Sequence, residues 1–112
     1  MPSIVYYASP RQTRLDANET LPLTLDRIVD SLHIRDRVRG ESVAIKMHLG
    51  GNVGYSALHP VFVRRVAQAV KDGGGRPFIG DLNRSGGNAA ERGYAAETVG
   101  CSVFPTGGLD EH

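Results

Sequence analysis

A strand that empties into a glycine-rich loop, and a loop that feeds a proline-started helix, leave a chain few ways to fold. Residues 43–75 carry that order as VAIKMHLGGNVGYSALHPVFVRRVAQAVKDGGG. Val43, Ile45, Met47 and Leu49 alternate with Ser42, Ala44, Lys46 and His48, the period-two spacing of a strand over 42–49. Pro60 suits the first turn of a helix, where its missing N–H costs nothing. Phe62, Val63, Val66, Ala67 and Val70 recur at helical spacing. Gly73, Gly74 and Gly75 then end the run with residues free to take positive φ.

The alternation continues on both sides. Ile4, Val5, Tyr6 and Tyr7 read as a first strand, and residues 8–20 as a polar loop. A helix is predicted from near Pro22, with Thr20 as its cap and Leu25, Ile28, Val29 and Leu32 as its apolar stripe; the pattern fades from His33 to Gly40. Residues 76–80 read as a third strand ending at Asp81, and 82–88 as a second turn-rich loop. Residues 89–99 read as a weaker helix capped by Asn88, and 102–104 as a fourth strand. Strands alternating with helices predict an α/β fold: three layers, a mainly parallel open sheet of about four strands, helices on both faces. A chain of 112 residues suits one such domain. The sheet is small and FPTGGLDEH trails off just after a strand, so the chain also reads as a fragment of a longer domain, or as a homo-oligomer that covers an edge by self-association.

Thirteen basic residues against 12 acidic ones give a net charge of +1, with no basic stripe to track a nucleic-acid backbone. Cys101 is the one cysteine, so no internal disulfide and no cysteine-held cluster can form within the chain. The first residues lack the basic-then-apolar order of a signal peptide, and no apolar run reaches the roughly 18 residues of a membrane span. A soluble, cytoplasmic protein is the expectation, with neither nucleic acid nor membrane as partner.

In open parallel sheets, ligands gather beyond the carboxyl ends of the strands. Two such ends stand out. At the first, His48 suits a metal ligand or a general base, against the plain reading of a strand-end histidine bonded to backbone. Lys46, on the same strand face, can neutralise an anion or simply snorkel. Gly50, Gly51 and Asn52 let backbone amides approach an anion, although the spacing matches neither a Walker loop nor the dinucleotide fingerprint. His59 precedes Pro60 and either caps the helix or joins a metal site. At the second end, Asp81 can bind a divalent cation, orient a histidine or cap a turn, and Asn83 and Arg84 suit an anionic ligand.

Residues 43–83 resemble a known family, the domain of unknown function 362. The pattern is an apolar strand ending in Lys-x-His, a glycine and asparagine loop, a proline-started helix, and a strand ending in aspartate before an asparagine-bearing loop. Here these are Lys46, His48, Gly50, Asn52, Pro60, Asp81 and Asn83. The resemblance implies a longer domain, often found with ferredoxin-like cysteine clusters and described as iron-sulfur or redox-associated without a settled activity. With one cysteine, this chain ligates no such cluster by itself.

Two functions follow as expectations. In the first, the rim binds a divalent metal ion or an anionic small molecule: His48 and Asp81 act as metal ligands, with His59, or as an acid/base pair, while Lys46, Gly50, Gly51, Asn52, Asn83 and Arg84 hold the anion. In the second, the chain is a non-catalytic fragment or an oligomeric assembly module. The residues alone do not separate an enzyme from a binding domain.

Overall fold

The computed structural model describes residues 2–49, 57–81 and 89–105. Six regular elements follow in order: α1 Leu21–Ser31, β1 Ser42–Lys46, α2 Pro60–Asp72, β2 Arg76–Asp81, α3 Ala96–Val99 and β3 Ser102–Pro105. The strands form one parallel sheet in the order β1-β2-β3, with Ser42 opposite Arg76 and Phe78 opposite Ser102. The α/β class and the parallel pairing are as the alternation predicts.

The strand count is not. Ile4, Val5 and Tyr7 are more than four-fifths exposed and make no ladder hydrogen bonds among the described residues, so three strands stand where about four were expected. Tyr6, Tyr7 and Ala8 instead border a depression whose other side is Thr24, Arg27, Ile28 and Ser31 of α1. β-Propensity records how well a side chain fits a half-buried pleated surface, and this segment has found no such surface.

Helical layering differs too. Val63 of α2 and Val99 of α3 join Leu49, Ile79, Ala89 and Tyr94 in one core, with Ile45 and Val103 packed against it. On the opposite sheet face, Ala44 and Ser102 are exposed, and Phe78 meets Phe104 edge to face at 6.1 Å. α1 packs on α2 rather than on that face. Among the described residues, helices therefore cover one face and not both.

Local chemistry sets the boundaries. Pro60 opens α2, and His59 caps it by accepting the Val61 N–H on Nδ1 at 3.2 Å. Thr20 precedes α1 as expected, yet its hydroxyl donates to Ala17 O and does not cap the helix. The weak helix expected over 89–99 is split: a 3-10 turn at Ala90–Arg92 stops at Gly93, whose φ is +86°, before α3 begins. Tyr94, 2% exposed, seals that break by donating its hydroxyl to Leu58 O. Asn88, the expected cap, lies outside the described residues.

Candidate functional site

All three strands run the same way, so β1 and β2 end on one rim. Parallel register pairs Lys46 with Gly80 and so sets Asp81 one step beyond the Lys46 level. The Asp81 side chain, 4% exposed, accepts from Lys46 Nζ on Oδ1 at 2.9 Å and from the Leu49 N–H on Oδ2 at 2.7 Å. Both oxygens of a buried carboxylate thus meet donors, which is what keeps a buried charge tolerable. His48 Nδ1 stands 4.0 Å from Oδ2, an ion-pair distance when the ring is protonated. His48 and Asp81 also have further partners.

Lys46 is held rather than buried. Its ammonium donates to Asp81 and to Met47 O at 3.2 Å, yet the side chain is 66% exposed. An ammonium carries three donors, so among the described residues one remains for whatever approaches the rim.

Of the residues that the sequence marked, the fold brings Lys46, His48 and Asp81 together. His59 caps α2 and lines a different depression, beside Arg64 and Arg92. Gly50, Gly51, Asn52, Asn83 and Arg84 lie outside the described residues. No group of three or more histidine, cysteine, aspartate or glutamate side chains suited to a metal ion is found among the described residues.

Two residues at the rim were not foreseen. Arg92 Nη1 donates to Leu49 O at 3.2 Å, so Leu49, fully buried, joins Asp81 through its N–H and Arg92 through its carbonyl. Arg64, on α2, donates Nη1 to Thr98 O at 3.0 Å and more loosely to Glu97 O. Nothing in the spacing of Arg92 signals this; only the stop at Gly93 hints that its helix ends early. Away from the rim, burial pushes the Cys101 thiol above its ordinary pKa, partly offset by the Lys71 ammonium. A thiol so placed is a poor source of thiolate.

No helix among the described residues is long and apolar enough to cross a membrane. The family model for Domain of unknown function (DUF362) matches residues 43–112, well over half of the chain. No curated protein and no solved structure gives a match.

Proposed function

The chain belongs to the Domain of unknown function (DUF362) family, and from that premise we propose that the carboxyl-end rim of its sheet binds an anionic small molecule. One observation carries the reading: a buried aspartate, Asp81, pins the exposed Lys46 ammonium at the strand ends. Pinning spares part of the side-chain entropy that a free lysine gives up on binding. His48, two residues beyond the end of β1 and 4.0 Å from Asp81, supplies a second donor when protonated. Gly50, Gly51 and Asn52 follow β1 in sequence, and Asn83 and Arg84 follow β2; their backbone and side-chain donors complete the proposal.

A divalent metal on Asp81 and His48 is the competing ligand. Lys46 Nζ lies 2.9 Å from Asp81 Oδ1, so a cation there would meet an ammonium at close range and would have to displace it. The anion is favoured on that ground.

Native mass spectrometry with metal analysis on the purified chain, followed by amide-shift titration with citrate and with acetate, decides between them. The anion reading expects saturable shifts at residues 46–49 and 81 that Lys46→Met removes. Stoichiometric metal lost in His48→Ala and retained in Lys46→Met would overturn it. So would a chain whose rim amides respond to neither anion.

A second reading rests on the sheet face that no helix covers among the described residues, where Phe104 is 38% exposed beside Phe78. Two copies packed through these rings would make an assembly module. A dimer that survives His48→Ala and Asp81→Ala but dissociates in Phe104→Ser would support that reading, and a monomer at all concentrations would end it.

A further inference from the structure

Beside the rim, where α2 begins, a depression of about 570 Å³ is lined by His59, Arg64, Arg92, Glu97 and Thr98. The two guanidinium groups reach it from different elements, and each is anchored by one nitrogen on backbone carbonyls: Arg92 on Leu49, Arg64 on Glu97 and Thr98. Such anchors are neutral acceptors. Among the described residues, neither arginine has a carboxylate partner, in contrast to Arg14, Arg35 and Arg65. Arg92 Nε is buried and has no acceptor among the described residues, an arrangement that costs free energy until something supplies one.

His59 adds a directed donor. Because its Nδ1 accepts the Val61 N–H, the neutral ring carries its proton on Nε2. The helix N-terminus itself contributes little here, since Pro60 has no N–H and the Val61 and Phe62 N–H groups already donate to His59. Glu97 is the one acidic residue of the lining among the described residues. It disfavours a polyanion and leaves room for a group of one or two negative charges.

We propose that this depression is an oxyanion subsite that takes a single phosphate or carboxylate group on the Arg64 and Arg92 guanidiniums and the His59 Nε2–H. Planar guanidiniums meet oxyanions through paired donors. Among the described residues the anchors leave Nη2 of each and Nε of Arg64 without an acceptor, while Arg92 Nε becomes available only when the side chain turns. Entry of the anion turns Arg92 about its Leu49 anchor and gives Nε the acceptor that it lacks. The subsite stands independently of the ligand proposed at Lys46.

Titration of the full chain with inorganic phosphate, at constant ionic strength set by chloride and followed by backbone amide shifts, tests it. The expected result is saturable shifts at residues 59–64 and 92–98, with affinity about tenfold weaker in Arg64→Gln, since a charge-assisted hydrogen bond is lost. Arg64 is exposed, so that variant keeps its fold. Arg92→Gln should weaken binding at least as much; if it unfolds through loss of the Leu49 contact, Arg64→Gln decides alone. The proposal is overturned by shifts that never saturate, by binding that Arg64→Gln leaves unchanged, or by shifts confined to residues 46–49 and 81.

Discussion

Lys46 and Asp81 stand 35 residues apart in the chain and 2.9 Å apart across the end of the sheet. The pair exists because β1 and β2 run parallel in a register that sets Lys46 beside Gly80. Removing the charge of Asp81 therefore tests the sheet end directly. Asp81→Asn keeps the volume but cannot satisfy Lys46 and the Leu49 N–H equally well, so it should cost about 1–3 kcal/mol. Urea unfolding would show this as a lower midpoint at constant slope, and an unchanged midpoint would refute the structural role of the pair.

Two glycines should answer substitution differently. A Cβ on Gly73 would stand 2.5 Å from Arg35 O and 2.7 Å from Val38 Cγ2, although its own backbone angles are ordinary. Gly40 has φ +76° with nothing within 4 Å of an added Cβ. Gly73→Ala should then destabilise by roughly 1–3 kcal/mol through crowding. Gly40→Asn should cost well under about 1 kcal/mol, because asparagine tolerates the left-handed region. Denaturant curves giving the reverse order would contradict the packing of α2 against the turn at Ile34–Asp36.

The segment over residues 2–9 should be dispensable for stability. Ile4, Val5 and Tyr7 bury little and hold no ladder bonds among the described residues. Deleting it should change the unfolding free energy by no more than about 0.5 kcal/mol, the usual range for surface changes. A large drop in melting temperature would mean that these residues enter a sheet in solution.

Cys101 should react slowly. Partial burial raises its pKa, so at pH 8 iodoacetamide should modify it more slowly than it modifies glutathione, and the two rates should converge in urea. The raised folded value also sets the sign of its pH dependence. The unfolded chain loses the thiol proton first, so the stability tied to the buried thiol holds below its ordinary pKa and declines as pH rises past it. Equal rates in the folded and unfolded chain would refute the burial.

Much of this was legible in the residues. The period-two run at Val43, Ile45, Met47 and Leu49 and the stripe at Val63, Ala67 and Val70 each report a face that must be buried, and burial is what sequence periodicity encodes. The placement of Lys46 and Asp81 at strand ends, with His48 two residues beyond β1, was legible from the strand spacing, whereas what that rim binds was not. The run over Ile4–Tyr7 was misread because its β-rich composition does not say whether an edge is there to receive it.

What the sequence determined by itself is the alternation of strand and helix, the parallel sense that alternation imposes, and the family to which residues 43–112 belong. Those rest on local spacing and chirality, which a single stretch of chain contains in full. Only the tertiary structure decided that Lys46 is pinned by Asp81, that Arg92 reaches Leu49, and that among the described residues three strands pair with one face covered. Such contacts join residues more than thirty positions apart, and their existence depends on register and on which surfaces find a partner, neither of which is written in any one segment.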